Sequence, residues 1–384
     1  MPRLLILFSL VNLVIGTGAF VISGILKPIS SDLQVSLSAT GQAMTAYALS
    51  TAVLAPLMLV LTRRWPRKHA MLLALAVFCL GNLVCALATQ LPVLLAGRVL
   101  MGMGAMFTPL AAGIAVATTE PARRGRALAL VFLGMSLSYA LGLPLGAWLG
   151  LRHGWQAPIV LVAGLSVVAG LALAAMVPRG IQNPGTGFAG MAAVLRRADV
   201  RRVLLLTLLY FAAIFCVFSY AGAVLTALVP MSPAQLSVTL ALFGLSGVAG
   251  TLMGGWANDR FGPERALRAQ LAVLGLMMLL VPLTQGQPLA LVATFMVWGV
   301  AGFGMMAPQQ SRLAALSPPH APLLLSLNSS MLYFGTAAGA AAGGAALGHG
   351  VAFTHLAWVG VPFAALGGLT LWAGARSLAG AQRA

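Results

Sequence analysis

The chain has 384 residues, of which 60% are hydrophobic and only 7% are charged, and its mean hydropathy is +0.98. About a quarter of the residues of a soluble domain are charged, so this composition excludes a water-soluble globular protein. A formal net charge of +17 would suggest a nucleic-acid partner in a soluble protein, but the placement of the cations argues against that partner here.

Apolar runs of about 20 residues recur along the whole sequence, and each is long enough to cross a hydrocarbon layer of ~30 Å as a helix. They predict an all-α integral membrane protein with 12 transmembrane helices. We number the runs as spans 1 to 12, at residues 4–26, 38–61, 69–90, 92–118, 126–149, 156–177, 201–228, 233–256, 265–285, 288–311, 322–346 and 353–376. The first run begins like a signal peptide, but its length and the lack of a small-residue cleavage site predict a retained span 1.

The positive charge of the loops lies almost entirely on one side of the predicted membrane. Of the 22 Lys and Arg residues, 19 fall on that side, two fall in the opposite loops, and Arg98 lies within span 4. This split follows the positive-inside rule, so both termini are predicted to be cytoplasmic and the lipid bilayer, with its anionic headgroups, accounts for the charge. A bacterial inner membrane is the expected location, and a monomer is the expected functional unit.

The three cysteines, Cys79, Cys85 and Cys216, fall inside spans without metal-like spacing, and they are expected to be small buried hydrophobic residues. No metal and no cofactor is expected.

The longest connection, residues 177–202, joins spans 6 and 7 and contains Pro, Gly and Asn before a short amphipathic segment. Phe188, Met191, Val194 and Leu195 are predicted to face the membrane while Arg196 and Arg197 reach the headgroups. The predicted domains are therefore an N-terminal six-helix bundle (1–177), a cytoplasmic linker (178–200) and a C-terminal six-helix bundle (201–384).

The two predicted bundles contain features that align at a constant offset of 197 residues. The aligned pairs are Arg63 with Arg260, Gly102 with Gly299, Gly142 with Gly339, and Gly146 with Gly343. In spans 5 and 11, a glycine at every fourth position leaves one helical face bare and lets another helix approach closely in lipid. Two six-helix halves related by a parallel repeat are the architecture of a large class of transporters.

Four stretches carry a resemblance to a known family. They are "GGWANDRFGPER" after span 8, "LLAGRVLMGMGA" in span 4, "FLGMSLSYALGLPLGAWLG" in span 5 and "SSDLQVSLSATGQAMTAYAL" at the start of span 2. They resemble signatures of the major facilitator superfamily, and most closely its arabinose-efflux-permease-like branch of 12-helix drug:proton antiporters. The resemblance implies alternating access, a small-molecule substrate and protons as the coupling ion.

The turn after span 8 is interpreted as a cytoplasmic latch. Gly254 and Gly255 are expected to let the end of span 8 pack tightly, and Gly262 to permit the tight turn. Asp259 is expected to face the positive N-terminal end of span 5, just after Arg123 and Arg124. Arg260 and Arg265 would be partners in the same layer. The alternative is a solvated turn whose charge only sets topology.

The equivalent turn in the first half, "VLTRRWPRKHAML", departs from this pattern. Thr62 replaces the acid and Trp65 replaces the glycine, so its cations have no nearby carboxylate. Arg63 or Arg64 could meet backbone carbonyls or lipid phosphate, and a purely topological role is the alternative.

Arg98 is the residue that points most directly to function, because a charge inside a span is costly unless it faces protein or water. It is interpreted as a polar anchor in the cavity, and extension to the outer headgroups is the alternative.

No carboxylate lies in the middle of a span. Asp32, placed in a loop near the start of span 2, is the outward-side candidate for proton coupling, and a surface or cap role is the alternative. Proton coupling therefore depends on the resemblance.

The resemblance implies a central cavity lined by spans 1, 4, 7 and 10, with spans 2, 5, 8 and 11 beside them. The polar candidates for its lining are Asn12, Thr17, Gln42, Tyr47, Ser138, Tyr139, Tyr210, Gln309, Gln310 and Asn328. The apolar candidates are Met101, Met106, Phe211, Trp298, Met305 and Met306. Packing between helices is the alternative for each. Such a cavity suits neutral or weakly anionic amphiphiles and disfavours polycations.

The stretch "LGLPLG" in span 5 is expected to bend and pack through Gly142, Pro144 and Gly146. In the efflux branch such a bend is thought to seal the interior against leak. Here a Leu separates Gly142 from Pro144, which weakens the comparison with the antiporters.

Three functions fit the sequence. The first is secondary-active efflux of a small organic solute, a drug-like compound or a sugar. The second is uptake or facilitated diffusion of a small nutrient by the same fold. The third is a non-transport membrane sensor or enzyme. An enzyme would need a buried nucleophile–base pair, a metal cluster or paired acids inside a helix, and the sequence contains none of these patterns.

Overall fold

The computed structural model describes residues 2–120, 124–178, 195–317 and 321–381. Within these ranges the chain forms helices and turns, without a β-strand. The prediction of an all-α membrane protein is confirmed. The predicted amphipathic segment at 188–195 lies almost wholly outside the described residues, as does most of the predicted linker.

The first six spans are continuous helices or pairs of helical segments. They are Pro2–Phe20 with Ile22–Asp32 (span 1), Leu37–Leu61 (2), Arg67–Ala86 (3), Leu91–Gly104 with Phe107–Ala117 (4), Arg124–Leu137 with a π-helical turn Ser138–Gly142 and Leu143–His153 (5), and Gln156–Met176 (6).

The last six spans follow the same plan. They are Ala198–Phe218 with Ala221–Leu228 (7), Pro233–Phe261 (8), Pro263–Leu280 with a 3₁₀ turn Val281–Thr284 (9), Pro288–Gly304 with Met306–Leu316 (10), Ala321–Gly348 (11), and a 3₁₀ turn Phe353–His355 followed by Leu356–Ala381 (12).

Eleven helices in the described part of the chain are long and apolar enough to cross a membrane. The predicted span 11 is not among them, although the 28-residue helix Ala321–Gly348 occupies its place. Its glycines, serines and Asn328 lower its hydropathy, and much of its surface packs on span 7 rather than facing lipid. The structure is consistent with twelve spans.

The chain divides into two compact units. Unit 1 contains residues 1–185 and 231–244, and unit 2 contains residues 186–230 and 245–384. In unit 1, span 1 packs on spans 5 and 6, and span 4 packs on spans 2 and 3. In unit 2, span 7 packs on spans 11 and 12, and span 9 packs on spans 10 and 12.

Spans 1 and 7 break at equivalent places. Ile25 has φ −123° and ψ 20°, and Tyr220, 195 positions later, has φ −117° and ψ 18°. Both spans were predicted to be uninterrupted. In span 1 the cause is Pro28, which lacks an N–H and whose ring clashes with the carbonyl four residues earlier.

Spans 4 and 10 also break, after Gly104 and Gly304. Pro109 and Pro308 follow these breaks at the distance where a proline disrupts the preceding turn. The two break points are 200 positions apart, so the predicted constant offset of 197 is wrong for this pair of spans.

The glycine stripes mark where two helices approach most closely in each unit. A Cβ at Gly146 or Gly150 would meet the side chain of Val21 or Ile25 in span 1. A Cβ at Gly339 or Gly343 would meet the backbone of span 7 at Ala212 or Cys216. The stripes therefore pair span 5 with span 1 and span 11 with span 7.

Candidate functional site

The end of the first segment of span 1 is built around Arg98. The last carbonyls of a helix have no partner within it, and here all four accept hydrogen bonds. Thr17 O accepts from Val21 N at 3.0 Å, and Phe20 O accepts from Ser23 Oγ at 2.7 Å. Arg98 Nη1 donates to Gly18 O at 2.7 Å and Nη2 to Ala19 O at 2.6 Å. The last four carbonyls of this segment are thus all hydrogen-bonded, two of them because Arg98 projects toward span 1 from span 4.

Arg98 also joins span 2 to this site. Its Nε donates to Ala43 O at 3.1 Å, and its guanidinium carbon lies 4.6 Å from the centre of the Tyr47 ring. The side chain is 1% exposed. The alternative in which Arg98 extends to the outer headgroups is therefore wrong, because its donors are used inside the protein.

A second polar link in unit 1 centres on Asn12, which is fully buried. Its Nδ2 donates to Val131 O in span 5 at 2.9 Å, and its Oδ1 accepts from Thr108 Oγ1 in span 4 at 2.7 Å. A buried amide that uses both ends in this way avoids the cost of an unpaired polar group. Asn12 therefore ties spans 1, 4 and 5 together on one side of the breaks.

Unit 2 contains a similar link at Thr207, which is 195 positions after Asn12. Thr207 Oγ1 donates to Asn328 Oδ1 in span 11 at 2.6 Å and accepts from Gln309 Nε2 in span 10 at 2.8 Å. Gln309 Nε2 also donates to Val203 O at 2.6 Å. Thr207, Gln309 and Asn328 are all buried. The link joins spans 7, 10 and 11.

The break in span 10 is also satisfied by side chains. Tyr210 in span 7 donates its hydroxyl to Ala301 O at 2.5 Å. Gln270 in span 9 donates to Gly304 O at 2.9 Å, which is the carbonyl that Pro308 leaves without its usual partner. Trp298 is buried in the same helix, with its ring centre 4.7 Å from that of Phe295.

The remaining predicted liners differ in exposure. Tyr47 is fully buried, Thr17 and Gln42 are half-buried, and Gln310 is exposed. Tyr139 is 9% exposed and stacks on Phe20 with ring centres 4.6 Å apart. No structural observation assigns a substrate contact to any of them, so cavity lining stays a prediction.

The bend in span 5 takes the form of a π-helical turn, Ser138–Gly142, directly before Pro144. Gly142, Pro144 and Gly146 are buried, and a Cβ at Gly142 would meet Thr17 Oγ1. π-Helical turns inside α-helices are frequent at functional sites.

The turn after span 8 has an exposed acid and a glycine with a positive φ. Asp259 is exposed, and its Oδ1 accepts from Asn258 Nδ2 at 3.0 Å. Gly262 has φ +81°, in the region that favours glycine. Arg260 and Arg265 are exposed. The latch stays a prediction, since Arg123 lies outside the described residues.

One part of the latch prediction is wrong. Gly254 packs against Gly304, where a Cβ would meet the carbonyl oxygen, but a Cβ at Gly255 would have no described heavy atom within 4 Å. Adjacent residues on a helix point about 100° apart, so only one of this pair can face span 10.

Asp32 is the last residue of the helix Ile22–Asp32, not a residue of the following loop as predicted. Its Oδ2 accepts from Trp155 Nε1 at 2.8 Å and from Gln156 Nε2 at 3.2 Å. The carboxylate therefore connects the end of span 1 to the first turn of span 6.

Sequence reasoning missed Thr108, Thr207 and Gln270. Each is a polar residue in an apolar span, and each completes a buried hydrogen bond. Their polarity was the available signal, but it does not say which neighbour they meet.

In the described part of the chain, no three His, Cys, Asp or Glu side chains come together as a metal site.

Comparison with known proteins places this geometry in a family. The sequence model of the Major Facilitator Superfamily matches residues 8–231 and 203–380. The inner membrane transport protein YdhP of Escherichia coli K12 is 31% identical over 364 residues, which cover 94% of this chain and 93% of YdhP. A chloramphenicol resistance protein of Streptomyces lividans is 30% identical over 358 residues, covering 91% and 90% of the two chains. A bacterial homologue of the human lysosomal transporter Spinster, solved in an inward-facing and occupied conformation, has a TM-score of 0.82 at 18% identity, covering 98% and 97%.

Proposed function

The chain belongs to the major facilitator superfamily, and on that premise we propose that it exports a small organic solute by alternating access across a bacterial inner membrane. It is a multi-pass membrane transporter with efflux-type relatives. The direction of transport, the class of solute and the coupling to protons are the proposal. Cytoplasmic termini, a monomeric unit and two six-helix halves joined at 178–200 belong to the same proposal.

The observation that carries the proposal is the break in each of spans 1, 4, 7 and 10. Broken helices present backbone groups and side chains at membrane depth, which is how many secondary transporters form solute sites. In each unit, neighbouring helices donate hydrogen bonds to one of these breaks, from Arg98 to span 1 in unit 1 and from Tyr210 and Gln270 to span 10 in unit 2. Helix breaks that are held in place by hydrogen bonds favour a solute-binding site, and therefore a transporter, over a membrane sensor.

The class of solute follows from the charges near these breaks. The acids Asp32, Glu120, Asp199, Asp259 and Glu264 all lie at helix ends or in turns. Amide and hydroxyl groups remain, together with methionines such as Met101 and Met305, while the guanidinium of Arg98 is bound by backbone carbonyls. This set offers no carboxylate to a cation and favours a neutral or weakly anionic amphiphile, a drug-like compound or a sugar. The name of the Streptomyces relative supports a neutral drug-like solute.

The test is flux into inside-out proteoliposomes, with chloramphenicol as the first probe and with or without an imposed pH gradient. Protein-dependent accumulation that the gradient stimulates supports proton-coupled export. Downhill flux in both directions, unaffected by the gradient, would favour facilitated diffusion. Chemical conversion of the probe in detergent, without a second compartment, would overturn transport as the function. Liposomes without protein are the control.

A further inference from the structure

We propose that the turn after span 2 is a binding surface for anionic phospholipid headgroups, formed by Arg63 and Arg64 beside Trp65. The turn is well defined: Thr62 N donates to Met58 O at 2.9 Å, Arg63 N to Val60 O at 3.2 Å, and Trp65 N to Thr62 O at 2.9 Å. Thr62 is buried, whereas its neighbours Arg63 and Arg64 are exposed.

Of the four cations around this turn, two lie at the start of span 3, where one is buried and the other is hydrogen-bonded, and the other two are exposed. Arg67 is 7% exposed. Lys68 Nζ donates to Ala174 O, at the end of span 6, at 2.5 Å. Arg63 and Arg64 are exposed, and their side chains make no hydrogen bond or ion pair with the described residues. Their charge is therefore available to a partner outside the chain.

A row of exposed apolar side chains along span 2 indicates that lipid is the partner next to Arg63 and Arg64. Exposed side chains repeat at every fourth residue along span 2 and lead to the turn: Leu49, Val53, Leu57, Leu61 and Trp65. Residues four apart lie on one face of a helix, and such a face in a membrane protein contacts acyl chains. Trp65, at the end of the stripe, is the type of residue that lies at headgroup depth. Arg63 and Arg64 next to it are placed to contact phosphates.

The equivalent turn in unit 2 differs most clearly in its acids. It also follows an exposed stripe, with Leu252 and Trp256, and it also carries two arginines, Arg260 and Arg265. However, its acids lower the net positive charge, because Glu264 pairs with Arg268 at 3.2 Å and Asp259 offsets one of the two exposed arginines. Because an anionic surface attracts net positive charge, the turn of unit 1 should select anionic lipid more strongly than that of unit 2.

The experiment measures quenching of tryptophan fluorescence in vesicles of phosphatidylcholine that contain either brominated phosphatidylglycerol or brominated phosphatidylcholine at equal mole fraction. The signal of Trp65 is the difference between the wild type and Trp65→Phe, and that of Trp256 is obtained in the same way. We expect brominated phosphatidylglycerol to be enriched at Trp65 by about tenfold, and to show a clearly smaller preference at Trp256.

The double variant Arg63→Gln/Arg64→Gln should reduce the preference at Trp65 to about one, whereas Arg63→Lys/Arg64→Lys should retain it. An unchanged Trp256 signal shows that the variants insert and fold. Equal quenching of Trp65 by both lipids in the wild type, or a preference that survives the glutamine variant, would overturn the proposal. No quenching of Trp65 by either lipid would also overturn it, because the stripe would then not face acyl chains. Transport is not measured, so the result is independent of the proposed function.

Discussion

Arg98 in span 4 donates a 2.7 Å hydrogen bond to the carbonyl oxygen of Gly18 in span 1, where span 1 interrupts its helix. The first prediction concerns this contact. Arg98→Ala leaves the carbonyls of Gly18 and Ala19 unpaired in the interior, and we expect a loss of about 3–5 kcal/mol in the free energy of unfolding. Thermal unfolding in detergent and membrane abundance measure it.

The matched variant is Arg98→Lys, which keeps the charge. A lysine has one nitrogen and cannot reach Gly18 O, Ala19 O and Ala43 O at once, so we expect a loss of about 1–3 kcal/mol and reduced transport. Full stability and activity of the lysine variant would show that charge alone matters at this position.

The second prediction concerns the close approach of spans 7 and 11. Gly339→Ala places a methyl group against Ala212 O and 2.9 Å from Cys216 N, and this backbone cannot move without displacing span 7. We expect a loss of about 1–3 kcal/mol, measured as a lower unfolding temperature. Gly142→Ala instead meets a side chain, Thr17, so it should cost less.

Two control variants test whether contact is the cause. Gly164→Ala and Gly170→Ala have no described heavy atom within 4 Å of the added methyl, and they should be neutral or should stabilise by up to about 1 kcal/mol through helix propensity. Thr17→Ala should restore the stability of Gly142→Ala. Equal losses at all four glycines would mean that contact between spans does not explain them.

The stripes show what could be predicted about the fold and what could not. The four-residue spacing of glycines in spans 5 and 11 predicts from the sequence alone that another helix packs closely on each span. The identity of that helix, span 1 for span 5 and span 7 for span 11, depends on tertiary packing and cannot be read from the spacing. The breaks were missed although Pro28, Pro109 and Pro308 mark three of them. No proline comes within four residues after Tyr220, so the sequence contains no comparable signal for the break in span 7.

The candidate site shows a similar limit. The cost of a buried charge draws attention to Arg98 in the sequence, but the role predicted for it was a polar anchor in a cavity. Its partners in the structure are backbone carbonyls, which every residue has and no pattern distinguishes. Because they are polar, Gln309 and Asn328 are predicted from the sequence to line a cavity. In the structure they pair through Thr207, because a buried polar group is satisfied by whichever neighbour is within reach.

The third prediction separates these two roles for Asn328. Asn328→Ala removes the acceptor of the Thr207 hydroxyl and leaves a buried donor unpaired, so we expect a loss of about 1–3 kcal/mol in stability with an unchanged KM for transport. Ser329→Ala, on the exposed side of the same helix, should change neither. A raised KM with an unchanged unfolding temperature would instead place Asn328 in the solute site.

The fourth prediction tests the latch. Asp259 is exposed and its neighbour Asn258 is its donor, so Asp259→Asn should leave membrane abundance and unfolding temperature unchanged. If the carboxylate takes part in closing the cytoplasmic side, transport should fall. Glu264→Gln is the matched control, because Glu264 pairs with Arg268 on its own helix and should not affect the cycle. A parallel loss of abundance and transport would make Asp259 a folding determinant.

The last prediction concerns Asp32 and its two donors. Trp155 is 2% exposed, and its indole N–H has the Asp32 carboxylate as its acceptor at 2.8 Å. Asp32→Ala removes that acceptor and leaves a buried donor, so we expect a loss of about 1.5–3 kcal/mol, whereas Asp32→Asn keeps an acceptor oxygen and should lose less.

The effects of Asp32→Ala and Trp155→Phe should not add, because each removes the same hydrogen bond. The asparagine variant also tests proton coupling, because it cannot titrate. We expect its transport to remain stimulated by a pH gradient, since the carboxylate of Asp32 is used to fix the start of span 6. A fully folded Asp32→Asn protein that transports but ignores the gradient would instead make Asp32 the coupling acid.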